Sequence, residues 1–253
     1  MRFCLKQSAE LKASQFELAF LISFTEFTGG GFLRVSISKG NEKLGSIQSV
    51  SLPSGVTCRE CDCRKKCYAR RIEQRRKSVR NAYQNNLTVL NKEPDTYWRE
   101  VEAAIMLSRY FRFHVSGDIP SSDYFERMVE IAKRNPHCEV LCFTKKYEII
   151  NDYLSKSYLD SIRGTTIHPQ LYNMWMIAEQ FLPKNLHIIM SAWKGLEMNN
   201  PYTLPEAHVR YRDGTTTAKE GAKECSGNCT ECAITDEGCW TLGYGEQVIF
   251  NEH

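Results

Sequence analysis

From residue 110 onward, β-rich runs alternate with segments in which apolar residues recur at helical spacing. Strands are expected over residues 110–115, 139–144, 186–193 and, more weakly, 209–211, and helices over 121–135, 147–154 and 171–181. A further strand is expected before this series, over residues 45–52. Repeated alternation of strand and helix predicts an α/β fold with a parallel sheet and right-handed crossovers, either open or rolled into a barrel.

The strand patterns also predict which side chains share a face of the sheet. Along the strand at 110–115 and just beyond it, two sets alternate: Phe111, Phe113 and Val115, and Arg112, His114 and Ser116. If the apolar set meets the helices, the polar set points into the barrel, together with His187 of a later strand. Such an interior is more polar than a structural core requires. The alternative is that each buried histidine is simply hydrogen-bonded.

The segment after the first cysteines combines a helical apolar stripe with dense positive charge. The stripe consists of Ile72, Val79, Tyr83, Leu87 and Leu90, spaced by three, four and seven residues. Candidate contacts to a nucleic acid are Arg70, Arg71, Arg75, Arg76 and Lys77. A solvated helix surface without a partner is the alternative.

Composition adds few constraints. The chain has 253 residues and a net charge of +3, which is too small to imply a nucleic-acid partner by itself. No apolar run approaches the roughly 20 residues that cross a bilayer, so no membrane partner is expected. Met1, Arg2 and Lys6 lead into polar residues, which disfavours a signal peptide. These features predict a cytoplasmic protein in a reducing compartment.

Eight of the eleven cysteines fall in two short groups. The first group is Cys58, Cys61, Cys63 and Cys67, and the second is Cys225, Cys229, Cys232 and Cys239. Four thiolates in a short stretch are typical of zinc or iron–sulfur sites. A disulfide framework is disfavoured, because a chain of this length builds a full core. The compact spacing favours two iron–sulfur clusters of the [4Fe–4S] type, with zinc as the alternative.

The first cysteine group is expected at the functional edge of the sheet. It directly follows the strand at 45–52, and Ser116-Gly117-Asp118 follows the next strand. The carboxyl ends of parallel strands are where α/β sheets and barrels build their sites. The second group lies in a glycine-rich tail with few apolar residues, so a metal there is expected to stabilise the tail.

Several short motifs resemble those of the phage gene-eighty-eight product family. They are Thr57-Cys58, Cys63-x3-Cys67-Tyr68-Ala69, Arg112-Phe113-His114-x-Ser116-Gly117-Asp118, Thr144-Lys145, and the closing Cys225-x3-Cys229-x2-Cys232 with Gly238-Cys239-Trp240. The resemblance covers residues 45–253 and implies a protein encoded by a phage or mobile element, located in the cytoplasm of a bacterial host. It assigns no activity.

The order of the motifs resembles, more distantly, that of radical S-adenosylmethionine enzymes. This implies a partial (βα) barrel of that type, whose first cysteine group holds a cluster with one iron open to S-adenosylmethionine. The implied cofactor-binding residues are His114, Ser116, Gly117 and Asp118. The spacing Cys58-x4-Cys63-x3-Cys67 departs from the enzymes' pattern, and Cys61 is available as a fourth ligand that would close the cluster. An enzymatic activity is therefore left open, and no catalytic residue is assigned.

Three parts are expected along the chain: a β-containing extension over residues 1–44 packed on the barrel, the partial barrel over 45–215, and a cysteine-rich cluster-binding segment over 216–253. The leading hypothesis is an iron–sulfur protein that acts on nucleic acid. The alternative is a non-enzymatic, metal-stapled nucleic-acid-binding or regulatory protein. Cys4, Cys138 and Cys142 receive no ligand role, and His253 is kept only as a minor candidate.

Overall fold

The computed structural model describes residues 34–60, 62–163 and 173–252. Its centre is a sheet of seven strands in which every neighbouring pair is parallel. The strands are β1 (Gln48–Val50), β2 (Tyr110–Phe113), β3 (Glu139–Thr144), β4 (Leu186–Ser191), β5 (Glu206–Arg210), β6 (Lys223–Glu224) and β7 (Gln247–Asn251). They lie in the order β1-β2-β3-β4-β5-β7-β6, and the sheet is open. The predicted α/β class with a parallel sheet is thus confirmed.

Helices fill most of the connections between the strands. They are α1 (Ser54–Thr57), α2 (Tyr68–Arg75), α3 (Lys77–Lys92), α4 (Pro94–Met106), α5 (Ser122–Arg134), α6 (Tyr147–Ile162), α7 (Met174–Phe181) and α8 (Cys229–Ile234), with 3-10 turns at Asp62–Lys65 and Gly238–Trp240. Within the described ranges, no helix is both long enough and apolar enough to cross a membrane.

One face of the sheet is covered by helices. Phe111 and Phe113 of β2 are fully buried on this face. The Phe113 ring centre lies 6.5 Å from that of Trp98 in α4 and 6.2 Å from that of Tyr124 in α5. The apolar residues of the strand therefore meet the helices, as the alternation predicts.

The opposite face, called the inner face here, is lined by Tyr110, Arg112, Leu141, Phe143, Ile189, Ala207, Val248 and Phe250. Residues from both ends of the described chain cover it. Leu44 and Ile47 pack on it from before β1, and Ala233 and Trp240 pack on it from the C-terminal cysteine segment. The described residues therefore form three layers: helices, sheet, and a cover made of two segments that are distant in sequence.

His187 lies on the inner face as predicted. Its Nε2 is 2.7 Å from Glu139 Oε2, and its ring centre lies 6.3 Å from that of Trp240. The imidazole is thus hydrogen-bonded to a carboxylate, which is the structural role that buried histidines most often have.

The prediction for the end of β2 is wrong. His114 has a φ of 60°, in the left-handed region, and this breaks the alternation of side chains. Its imidazole ring centre lies 5.4 Å from that of Tyr124, towards the helices, whereas Val115 packs against the inner-face cluster. The two residues have exchanged the faces that a regular strand would give them, while Arg112 keeps its expected position.

The basic segment forms two helices, α2 and α3. The prediction of a single apolar stripe along this segment is therefore wrong. Arg76 is extended, with φ −114° and ψ 99°, and separates α2 from α3. In α2 the buried residues are Ala69 and Glu73, whereas Ile72 is 38% exposed. The rotation of α2 is set by Glu73, whose carboxylate has hydrogen-bond partners inside the protein.

The predicted three-part division stays a prediction. The described residues leave out residues 1–33, Cys61, residues 164–172 and His253. Most of the expected extension over residues 1–44 and the start of the expected helix over 171–181 therefore lie outside them. Residues 34–44 join the sheet, because Ser38 and Ser49 exchange backbone hydrogen bonds of 2.8 and 3.0 Å. The C-terminal segment contributes β6, β7 and the cover of the inner face.

Candidate metal centre

The first cysteine group follows β1, at the carboxyl edge of the sheet. Cys58 comes directly after α1, and Cys67 is the N-cap of α2; both are free and partly buried. Cys63, in the 3-10 turn, is in a disulfide bond, and Cys61 lies outside the described residues. In this structure the group therefore presents two described free thiols.

Carboxylates surround Cys58. Burial, with smaller contributions from Asp118, Cys67 and Glu73, raises the pKa of its thiol to about 12, and Lys145 opposes the rise. These surroundings favour the neutral thiol of Cys58, because nearby negative charge disfavours a thiolate.

Ser116-Gly117-Asp118 packs directly on the loop that contains Cys58. Gly117 has a φ of +81°, and a Cβ atom there would lie 2.5 Å from the Leu52 carbonyl oxygen and 2.7 Å from Thr57 Oγ1. Asp118 N donates to Thr57 Oγ1 at 3.0 Å, and Leu52 N donates to the Ser116 carbonyl at 3.1 Å. The glycine is needed for this close approach of two loops, so the space beside it is already filled by protein.

The Asp118 carboxylate is fully engaged with the protein. Oδ1 accepts hydrogen bonds from Thr144 Oγ1 at 2.6 Å and from Ile119 N at 2.8 Å, and Oδ2 accepts one from Lys145 N at 2.9 Å. Burial raises the pKa of Asp118, and these hydrogen bonds oppose the rise. The side chain joins the turn after β2 to the end of β3, which is a bracing role.

Glu73 is the residue of this region that the sequence analysis did not select. Its buried carboxylate accepts hydrogen bonds from Ser116 Oγ and, at 3.2 Å, from Ser54 N. It was recognisable as the one acid within the basic residues 64–80, although its partners could not be read from the sequence.

His114 is buried, and neither of its ring nitrogens has a hydrogen-bond partner among the described residues. Burial, with a smaller contribution from Arg112, lowers the pKa of His114 to about 3, so the imidazole is neutral. It lies on the helix side of the sheet and does not join Ser116, Gly117 and Asp118 in one site.

The second cysteine group lies on the inner face. Cys225, Cys229, Cys232 and Cys239 are all free and partly buried, and all four line one cavity of about 480 Å³. The other walls of this cavity include Arg112, Leu141, Phe143, Val248 and Phe250 of the sheet, the lysines Lys43 and Lys223, and the acids Glu224, Asp236 and Glu237. The structure thus brings together all four residues that the sequence analysis assigned to this group.

Two segments hold these cysteines in place. Cys229 N donates to the Lys43 carbonyl at 2.9 Å, and Thr230 Oγ1 donates to the Leu44 carbonyl at 2.7 Å. Trp240 Nε1 donates to the Cys229 carbonyl at 3.2 Å, while its ring packs on Tyr110. The cavity is therefore assembled from residues that precede β1 and residues that follow β6.

Close packing around Cys232 limits one wall. Gly238 has a φ of +63°, and a Cβ atom there would lie only 2.8 Å from Cys232 Sγ. Ser226 Oγ is 3.3 Å from the same sulfur. Glycine at position 238 thus leaves room for the thiol to face the cavity.

The four thiols do not converge on one point. Among the described residues, no set of three or more His, Cys, Asp or Glu side chains is placed to hold a metal ion. Zinc bound by thiolates needs Zn–S bonds of about 2.3 Å, so its sulfur ligands lie about 4 Å apart. The cysteines instead surround a space.

Positive charge faces these thiols. Burial, together with the neighbouring thiols, raises the pKa of Cys239 to about 12 and also raises that of Cys229. Arg112 and Lys43 oppose the shifts of both cysteines. The second group therefore differs from the first, where carboxylates surround Cys58.

The two groups approach each other around Tyr68. Its hydroxyl donates a hydrogen bond to the Val115 carbonyl at 3.1 Å and is buried in the protein, although 37% of the residue's surface is exposed. Burial raises the pKa of this hydroxyl, Arg112 opposes the rise, and Cys67 and Cys229 add to it. The Tyr68 hydroxyl thus interacts electrostatically with one cysteine of each group.

The model of the family described as gene product 88 matches residues 33–224. The chain belongs to the gene product 88 family. The matched region begins before β1 and includes the first cysteine group, but it stops at Glu224, so the C-terminal cysteines that were expected to share the resemblance lie beyond it. No match was found among curated proteins or among solved structures.

The basic residues of this family member lie on α2, on α3 and at the break between them. Arg71, Arg75, Arg76 and Lys77 are exposed, and Arg70 is partly buried. The extended conformation of Arg76 separates the two helices that carry these charges. This is a surface separate from the cavity of the C-terminal cysteines.

Cys138 and Cys142 of this family member are free and fully buried in the core. They do not line the cavity of the second group. Burial raises the pKa of both thiols, which is the behaviour of small apolar core residues.

Proposed function

We propose that this protein is an iron–sulfur protein whose C-terminal cysteines hold a cluster on the inner face of the parallel sheet. The observation that carries this proposal is that Cys225, Cys229, Cys232 and Cys239 are free and line one cavity of about 480 Å³ together with Arg112 and Lys43. Thiolates are the ligands that iron–sulfur clusters use, and a cluster accepts and releases single electrons when bound.

The compact spacing of the four cysteines along the chain supports a cluster over a single zinc ion, because structural zinc sites often use two cysteine pairs separated by a longer loop. The cationic side chains favour the thiolate forms that either metal requires. Zinc is therefore the outcome that the test must distinguish.

A cluster at the first group remains a prediction with one added requirement. Because Cys63 is in a disulfide bond, that group has to be reduced before it presents a third described thiolate. S-adenosylmethionine binding through Ser116-Gly117-Asp118 does not fit the described contacts, since the Asp118 oxygens and the space at Gly117 are already occupied. We derive no reaction step through that cofactor.

Metal analysis after anaerobic purification and reconstitution tests the proposal. We expect iron and acid-labile sulfide in the wild type, with a marked loss of both in Cys229→Ala and Cys239→Ala. Cys138→Ala is the matched control, because Cys138 is free and buried but does not line the cavity. A colourless protein with stoichiometric zinc, or equal iron in all four proteins, would refute the cluster.

A second function is supported by the exposed charges of α2 and α3. We propose that this surface binds nucleic acid, because Arg71, Arg75, Arg76 and Lys77 are exposed within seven residues of chain. Such binding depends on phosphate contacts and weakens linearly in the logarithm of salt concentration.

Fluorescence anisotropy with labelled DNA and RNA at several salt concentrations tests this function. The double variant Arg75→Gln with Arg76→Gln should weaken binding and reduce the salt slope by about two phosphate contacts. The control is the double variant Lys133→Gln with Lys184→Gln, which removes the same amount of charge at two exposed positions outside α2 and α3. Equal binding by both double variants would contradict an interface on α2 and α3.

A further inference from the structure

Arg112 and Lys43 each lie over an aromatic ring in the cavity that the four cysteines line. The Phe143 and Phe250 ring centres are 5.7 Å apart in an edge-on contact. The Arg112 guanidinium lies 4.8 Å from the centre of the Phe143 ring, and Lys43 Nζ lies 4.3 Å from the centre of the Phe250 ring. Both cations and both rings line the cavity that the four thiols line.

Neither cation has a carboxylate partner in the described part of the chain. Within residues 34–60, 62–163 and 173–252, no ion pair involves Arg112 or Lys43, and Arg112 Nε has no hydrogen-bond partner. A partly buried cation is ordinarily paired, because its removal from water costs free energy that only an opposite charge or hydrogen bonds offset. Contacts with aromatic rings offset only part of that cost.

The four cysteines that line the same cavity would add negative charge near both cations if they held a metal centre. Four thiolates around a doubly positive core leave two net negative charges, which is the number of positive charges on Arg112 and Lys43. In a partly buried site this attraction is screened much less than on the surface.

We propose that Arg112 and Lys43 are fixed counter-charges that stabilise the reduced, more negative state of the C-terminal cluster. The cluster would then accept electrons in addition to stabilising the C-terminal segment. This inference rests on the proposed function. A cluster bound there would accept one electron from a one-electron reductant such as dithionite, and Arg112 and Lys43 would offset the negative charge that it gains. No bond to the protein forms or breaks, and no proton has to move.

Redox titration of the reconstituted protein, followed by electron paramagnetic resonance, tests the inference. Arg112→Met and Lys43→Met should each shift the midpoint potential to a more negative value, and the double variant should shift it further. The matched control is the double variant Lys223→Met with Glu246→Gln, which removes a cation that lines the same cavity together with its partner at 3.0 Å and so leaves the net charge unchanged. Its potential should stay close to the wild-type value.

The charge-conserving variant Arg112→Lys separates charge from packing. It should keep the potential close to that of the wild type, whereas a shift as large as that of Arg112→Met would overturn the counter-charge role. Iron and sulfide are measured first in every protein. A loaded wild type whose potential is the same in all variants refutes this inference alone, and a wild type without iron refutes the proposed function itself.

Discussion

The buried carboxylate of Glu73 accepts a hydrogen bond from the hydroxyl of Ser116, 43 residues later in the chain. Glu73 belongs to α2, just after the first cysteine group, and Ser116 belongs to the turn after β2. The same carboxylate accepts from Ser54 N at 3.2 Å. One acid therefore holds together the three segments that form the carboxyl edge of β1 and β2.

Removal of this acid should destabilise the protein. Glu73→Ala leaves Ser116 Oγ and Ser54 N without their partner, which costs about 1–3 kcal/mol for buried polar groups. Urea unfolding followed by circular dichroism measures the change. Gln74→Ala is the control, since Gln74 is exposed on the same helix and its replacement should stay within about 0.5 kcal/mol. Equal costs for the two variants would contradict the role of Glu73.

Gly117→Ala should cost more than a glycine replacement that meets only backbone strain. Gly117 and Gly214 share a φ of +81°, but the space beside Gly214 is open, whereas a Cβ at Gly117 would overlap Leu52 O and Thr57 Oγ1. We expect Gly214→Ala to cost about 1–2 kcal/mol and Gly117→Ala to exceed it by about 1–3 kcal/mol. Thermal and urea unfolding compare the pair, and a smaller cost at position 117 would show that the two loops separate easily.

Gly238→Ala should lower the amount of bound iron. The added Cβ would lie 2.8 Å from Cys232 Sγ and would displace that thiol from the cavity wall. Gly227→Ala is the control in the same segment, because Gly227 has a φ of +83° and open space around it. The iron-to-protein ratio after identical reconstitution is the readout. A lower ratio in both variants would point to backbone strain instead of the position of Cys232.

Stability should fall as the pH drops below about 6.5, partly because of His114. The pKa of its imidazole is about 3 in the folded chain against an ordinary 6.5, so between these values the unfolded chain binds the extra proton. Stability gained from neutral His114 is therefore full above 6.5 and is lost towards pH 3 by up to about 1.4 kcal/mol per pH unit.

His114→Asn tests this slope, since asparagine also tolerates the left-handed backbone at this position. Urea unfolding of the metal-free protein at pH values from about 6.5 to about 4 should show a shallower loss for the variant than for the wild type. Identical pH profiles would mean that the protonated imidazole of His114 is stabilised in the folded protein, so that its pKa is not lowered.

Strands β1 to β5 and helices α5 to α7 could be predicted from the sequence because their signals are local. The run at 139–144 is β3 as predicted, and Ser121 caps α5 through a 3.2 Å hydrogen bond from Tyr124 N. Features with only weak local signals were missed, among them β6 and α8. The chain turns at Arg76, and α4 begins at Pro94 in a segment for which no element was predicted.

The sequence by itself determined the parallel α/β class and the two groups of cysteines, because periodicity and ligand spacing are properties of neighbouring residues. Only the tertiary structure decided what surrounds each group. Cys58 meets Asp118 and Glu73, whereas Cys229 and Cys239 face Arg112 and Lys43. These charges come from separate strands and loops, and their distances are set by the packing of the sheet against its cover, which no local pattern encodes.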